Sequence, residues 1–410
     1  MSGSVLRSID LHLDYPPGEV VRVDELVDVG AGIYPVYYYV RDGEVLASTS
    51  VTELIFELGS FERHAEFTPP NYFECAGETT PLEKFYTSLP DVVKFSVPSS
   101  VRMNLKERGL IDVGSEWSET SNTVDARISV LQAFERVTPD GRTRDFEPTY
   151  SLSDPTEFVE RSAAELQEFV HSIERRFPDH EHVVRVGGRD SQLITLIPKL
   201  TDNWHVFSAE PSHWIVDRFL FENDIEVGEF FHHDNENEET WRDFRRKLIC
   251  GDIRADPRHQ RWYPTLDEIA ARFDRDCIFW IGTEGDTINT YFPDFHEAED
   301  YFAGHFSRAA NWQGVTHQLT KNFTGAPALS PYHSESIWTN VYRHYDPDMI
   351  SESMDLRPRI AEQWYDRDIW WPDRNPAPAP YEYTFEDDYR DVYFDYISDC
   401  LDGDAESVIG

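Results

Sequence analysis

The chain has 410 residues, of which 77 are acidic and 37 basic, for a formal charge of −40 at pH 7. That balance excludes a nucleic-acid surface, which needs a basic footprint, and the 40% apolar and 14% aromatic residues exclude a disordered chain and suffice for two cores. Only six of the basic residues are lysines, and so acidic a surface repels itself in dilute buffer but is screened in molar salt, where the Debye length falls to about 3 Å, so the composition points to a halophilic protein.

Residues 1–150 are rich in short β-branched and aromatic runs broken by Gly, Pro and Asn, such as Gly18–Val23 and Ala126–Leu131. They predict a β-rich first domain, a sandwich of antiparallel sheets. Within it, Tyr34–Ser48 reads as two strands joined by an Asp42-Gly43 hairpin turn. Ser153-Asp154-Pro155 then supplies a helix cap with proline in the first turn, and Phe158, Val159, Leu166, Phe169, Val170, Ile173 and Phe177 recur at three- and four-residue steps. An amphipathic helix of about twenty residues is expected to open a second domain, 151–371. From there strands and helices alternate, which predicts a parallel sheet covered on both faces. The segment 372–410 starts with Pro372–Pro380, four prolines in nine positions that form neither helix nor central strand, and continues as an acidic, tyrosine-rich tail. Cys75, Cys250, Cys277 and Cys400 have no metal or disulfide spacing, as expected in a reducing interior. With no charged-then-apolar leader and no apolar run near the roughly 18 residues of a membrane span, a cytoplasmic location without a membrane partner is expected.

The most informative stretch is His182–Pro198, where an apolar strand runs into Gly187-Gly188-Arg189-Asp190-Ser191 and then into a helix start. Two glycines leave no side chain between an anion and successive backbone N–H groups, and the helix N-terminus adds partial positive charge at the same place. Asp190 is suited to the Mg²⁺ that travels with a nucleotide, and Ser191 to a phosphate oxygen. Further on, the apolar strand Cys277–Ile281 ends in Gly282-Thr283-Glu284-Gly285-Asp286. Asp190 and Asp286 would then face one metal-nucleotide from adjacent loops at the strand ends, the edge where open α/β sheets bind ligands.

On these motifs the chain resembles the asparagine synthetase and β-lactam synthetase family. The family's synthetase domain carries Ser-Gly-Gly-x-Asp-Ser and Gly-x-Gly-Gly-Asp-Glu, matched here by Val186–Ser191 and Gly282–Thr287. The leading serine is Val186, one glycine is Glu284 and the last glutamate is Thr287. The likeness extends to His205–Ser208 as the second sheet strand, flanking the adenosine at Phe207, and to Pro327–His333 near the substrate pocket, without the family's aspartate. It is strong only over residues 182–292.

The resemblance implies a glutamine-amidotransferase-like sandwich at 1–150 followed by a doubly wound ATP-pyrophosphatase domain of the adenine nucleotide alpha hydrolase type. It implies ATP and Mg²⁺ as cofactors, with nucleotide and pyrophosphate at Val186, Gly187, Gly188, Asp190, Ser191, Phe207, Gly282 and Gly285, and metal at Asp190 and Asp286. Small-molecule carboxylate and amine substrates, and a homodimer as one compatible assembly, follow. The family's glutamine-using members employ a cysteine after the initiator methionine; here that position is Ser2, a far poorer nucleophile, so no glutaminase activity is expected. The family also brings a lysine to the reacting phosphate, and no lysine follows Lys321. Arg374 is the nearest positional substitute, able to stabilise phosphate charge but not to act as a base. The expected activity is an AMP-forming carbon–nitrogen ligation, and the alternative is a lapsed relative that binds a nucleotide or a protein without turnover. Three further polar clusters read mainly as surface: Arg242, Arg245, Arg246 and Lys247; His232-His233-Asp234; and Asp252–Arg261.

Overall fold

In the computed structural model, residues 4–28, 35–62, 123, 125–144, 155–209, 212–233, 262–283, 285, 314–337 and 356–372 are described. The hairpin read from the sequence is present: strands β4 (Tyr37–Arg41) and β5 (Glu44–Ser48) pair antiparallel. Asp42 and Gly43 between them have φ of 52° and 82°, the left-handed pair that a two-residue turn needs to match strand twist. With β2 (Val21–Val23) and β6 (Ser129–Val130) they form an antiparallel sheet in the order β2-β5-β4-β6. A second sheet has the order β1-β3-β7-β8, from β1 (Val5–Arg7), β3 (Glu25–Val27), β7 (Glu135–Thr138) and β8 (Gly141–Arg144).

The all-antiparallel expectation fails at one place, because β1 and β3 pair parallel. A parallel neighbour requires a crossover, and helix α1 (Ser8–Asp14) with β2 provides it. Alternation along the strands assigns the faces. Tyr38, Val45 and Ala47 join Leu26 and Val137 in one apolar cluster, while Tyr37 and Leu46 meet Leu54 and Ile55 of helix α2 (Val51–Leu58) in another.

Helix α3 (Pro155–Arg176) is the expected amphipathic helix, 22 residues long. It precedes a five-stranded, wholly parallel sheet of β9 (Glu181–Arg185), β10 (Trp204–Ala209), β11 (Phe230–His233), β12 (Cys277–Ile281) and β13 (Ala328–Leu329). The strand order is β11-β10-β9-β12-β13. The chain thus builds outward from β9 in one direction and returns to build outward in the other, so its winding reverses between β9 and β12. Val184, Val206, Ile278 and Trp280 share a cluster with residues of α3, α4 (Arg189–Leu196) and α5 (His213–Glu222). Val183, Phe207, Cys277 and Phe279 share the other with α6 (Tyr263–Arg272) and α7 (Gly314–Thr324). Burial on both faces explains why β12 reads as a continuous apolar run and why β9 and β10 keep apolar centres. A short helix, α8 (Arg357–Ala361), packs on α3 and α4.

The β-rich part is attached through α1. Lys321 of α7 is buried, and its ammonium donates to the carbonyl oxygens of Leu11 at 3.4 Å, Tyr15 at 2.6 Å and His12, closing the C-terminal end of α1. His12 accepts from the Ala328 N–H at 3.2 Å. Among the described residues no helix is long and apolar enough to cross a membrane.

Candidate functional site

Strands β10 and β12 flank β9 in register, with Arg185 opposite both Phe207 and Ile281. The turns after β9 and β12 therefore leave the sheet at the same level, side by side at the reversal point, where a parallel sheet offers a crevice. Gly188 is the residue before α4, and the Ser191 hydroxyl folds back to accept from the N–H groups of Gly187 at 3.1 Å and Gly188 at 3.2 Å while donating to the Gly188 carbonyl at 2.9 Å. Gly187 is exposed, and a side chain there would meet nothing within 4 Å, so the mouth of the loop is open.

The second motif closes on the first from behind. A Cβ at Gly282 would lie 2.6 Å from the Ser191 amide nitrogen, and one at Gly285 would lie 2.4 Å from the carboxyl carbon and Oδ1 of Asp190. Both separations are shorter than any side chain tolerates, so glycine is required for contact between the two loops. Tyr332, in the 3₁₀ turn Pro331–His333, donates its hydroxyl to the Asp190 carbonyl at 2.8 Å. The Asp190 carboxylate itself is paired: Arg357 Nε of α8 donates to Oδ1 at 2.8 Å, with side-chain exposures of 5% for Arg357 and 15% for Asp190. A buried guanidinium and carboxylate in this arrangement compensate each other's loss of hydration.

A polar network supports the β12 turn. Thr283 Oγ1 lies 2.6 Å from His317 Nε2, Ser330 Oγ donates to the Thr283 carbonyl at 2.8 Å, and the rings of His317 and His333 meet edge to face at 5.2 Å. Arg189 donates to the Pro372 carbonyl at 2.6 Å, which brings the chain beside the loop just before Arg374.

Of the residues singled out in the sequence, Gly187, Gly188, Asp190, Ser191, Gly282 and Gly285 come together. Val186 and Phe207 also lie at this sheet edge, but their side chains are buried in the two apolar clusters on opposite faces. They are joined through the backbone, Val186 N–H to the Phe207 carbonyl at 2.8 Å. Asp286 and Arg374 lie outside the described residues, as do the 242–247 and 252–261 clusters and Asp234. His233 Nδ1 lies 2.6 Å from Thr265 Oγ1. No group of three potential metal ligands occurs among the described residues. The sequence gives no sign of Arg357, since Leu356-Arg357-Pro358 has no motif, and marks Tyr332 only as part of Pro327–His333, because a tyrosine hydroxyl on a main-chain oxygen leaves no pattern.

No family model matches the chain, and no curated protein does.

Proposed function

We propose that the chain is an ATP-dependent carbon–nitrogen ligase of the AMP-forming type, related to the asparagine and β-lactam synthetases. The observation that carries this reading is the contact between two glycine-bearing loops at the winding reversal of a parallel sheet, with Gly282 and Gly285 packed on Asp190 and Ser191. Register alone sets the two turns side by side; what marks them is that their contact leaves room only for glycine at 282 and 285. A diphosphate at the open face of Gly187 would receive the N–H groups of the first loop and the start of α4. The Ser191 hydroxyl, now turned onto those N–H groups, would exchange them for the phosphate. A substrate carboxylate then attacks the α-phosphorus of ATP, forming an acyl-adenylate and releasing pyrophosphate, and an amine displaces AMP. The first domain is read as a vestigial glutaminase-like domain.

Mg²⁺ is the ion such a nucleotide brings, with Asp190 and Asp286 as its expected ligands. Asp190 is already engaged by Arg357, and Asp286 lies outside the described residues. The ion pair favours a second reading, a relative that binds nucleotide without turnover. Incubation of the full chain with ATP, a carboxylate library and an amine library at molar KCl separates the two. AMP and pyrophosphate in equal amounts, with no ADP, support the ligase; nucleotide binding without AMP supports the second reading; and ADP with phosphate overturns attack at the α-phosphorus.

A further inference from the structure

Resting on the nucleotide reading of the loop, we propose that this site binds its diphosphate without a divalent cation, the Arg357 guanidinium standing where a metal would otherwise neutralise charge. Three features of the crevice lead there. First, the Asp190 carboxylate is enclosed: Gly285 leaves no room on one side, with 2.4 Å to a hypothetical Cβ, and Arg357 Nε holds Oδ1 at 2.8 Å on another. A metal taking Oδ1 would have to separate a pair that is 5% and 15% exposed, and separating such a pair leaves an uncompensated charge in a poorly hydrated place.

Second, the cation is placed by the fold rather than by a flexible stem. Arg357 opens α8, whose next residue is proline and whose buried Ile360 and Ala361 join the apolar cluster shared with α3 and α4. The Asp190 peptide is held in turn by the Tyr332 hydroxyl at 2.8 Å. A guanidinium is planar, permanently charged and less strongly hydrated than an ammonium, and its fork matches phosphate oxygens. Third, the protein carries a formal charge of −40, so an incoming polyanion meets a repulsive field that backbone dipoles alone offset weakly. At the loop itself the Arg357 guanidinium cancels the Asp190 charge, so the ligand meets a neutral pair there and not a bare carboxylate, whether or not a metal accompanies it. Arg357 thereby takes the charge-stabilising role that the sequence suggested for Arg374.

The test is calorimetric titration of inorganic pyrophosphate, and separately of ATP, into the full chain at molar KCl, once with EDTA and once with Mg²⁺. The wild type should bind both probes in EDTA with an affinity within about threefold of that in Mg²⁺. Arg357→Gln should weaken binding in EDTA at least tenfold, about 1.4 kcal/mol, and recover part of it in Mg²⁺, because the substitution releases Asp190 for the ion. Arg357→Lys, which keeps the charge without the fork, should fall between. Wild-type binding seen only with Mg²⁺ overturns the inference and leaves the nucleotide reading standing, whereas failure of both probes under both conditions overturns both. Wild-type affinity of Arg357→Gln in EDTA removes Arg357 from the site. The wild-type comparison needs no variant and decides the matter even if Arg357→Gln fails to fold.

Discussion

Beyond the carboxyl ends of β9 and β12 the chain places two glycine-bearing loops, with Gly282 and Gly285 packed on Asp190 of one ion pair, whereas toward the amino ends of β9 and β10 it places aromatic rings around a buried carboxylate. There, Glu174 accepts from the Leu200 N–H at 3.0 Å, the Thr201 N–H at 3.2 Å, the Thr201 hydroxyl at 3.0 Å and the Trp204 indole at 2.9 Å. His182 stacks on Trp204 with centroids 4.5 Å apart and accepts the Trp280 indole N–H at 3.0 Å, and the Lys199 ammonium lies 4.1 Å over the Trp204 ring. A cleft of about 200 Å³ opens at this end beside Lys199, Trp204, His205 and Tyr365. Three of its polar groups are engaged: Lys199 donates to the Ile194 carbonyl, Tyr365 to the Leu196 carbonyl, and His205 Nε2 pairs with Glu181. One end of the sheet therefore closes its polar groups against aromatic surface, which stabilises the fold. The other omits side chains, which leaves backbone open at the loop mouth. Engaged polar groups and open backbone are separated along one sheet.

The broadest way to break this separation is to remove salt. Below a few hundred millimolar KCl the uncompensated charge should unfold both ends in one transition, with recovery above about 1 M. Circular dichroism over a salt series reads this directly, and a native spectrum with unchanged melting temperature at low salt would remove the halophilic reading.

Next in size is Glu174→Ala, which strips the partner from several donors in a site where the carboxylate is 1% exposed. It should cost about 3–5 kcal/mol in urea unfolding at molar KCl, as does removal of one member of a buried network. Pyrophosphate affinity of the folded fraction should stay within about threefold of the wild type. A large loss of affinity would mean the two ends are coupled.

Gly285→Ala probes the opposite end. The added methyl meets Asp190 at 2.4 Å, so the loops must part, at a cost of about 1–3 kcal/mol, and pyrophosphate affinity should fall at least tenfold. Unchanged affinity would show that contact between the two loops is not what forms the site.

The aromatic end also carries a pH dependence. Burial, helped by the nearby Lys199, lowers the His182 imidazole to about 3, and protonation would also remove the acceptor of the Trp280 indole. The unfolded ring titrates near 6.5, so the folded state binds fewer protons between these values. The stability contributed by His182 is therefore complete above pH 6.5 and is lost as pH falls toward 3, by about 1.4 kcal/mol per unit within that window. His12, buried and also lowered, acts with the same sign. Lys199, lowered by burial to about 7, and Lys321, lowered by burial to about 8, make stability rise again from those values toward pH 10.5. Urea midpoints between pH 5 and 6.5 should slope less in His182→Gln than in the wild type by one proton's worth, and equal slopes would remove His182 as the cause.

The sequence by itself determined the local pieces. The Asp42-Gly43 turn follows from a backbone requirement that those two residues meet, α3 from apolar spacing with proline in its first turn, β9 from its apolar centre before the glycine turn, and β12 from a run that is apolar throughout because both faces are covered. The glycines at 187, 188, 282 and 285 were legible as candidate anion loops for the same reason, since the absence of a side chain is itself the signal. Tertiary structure decided what those pieces touch. Only the crossover through α1 makes β1 and β3 parallel. Only strand order brings the two glycine loops together, turns Phe207 and Val186 into opposite cores, and brings Arg357 to Asp190 across 167 positions of chain. A periodicity or a turn is written within a few residues, whereas an ion pair between distant residues depends on every element packed between them, and neither partner carries a mark of the other.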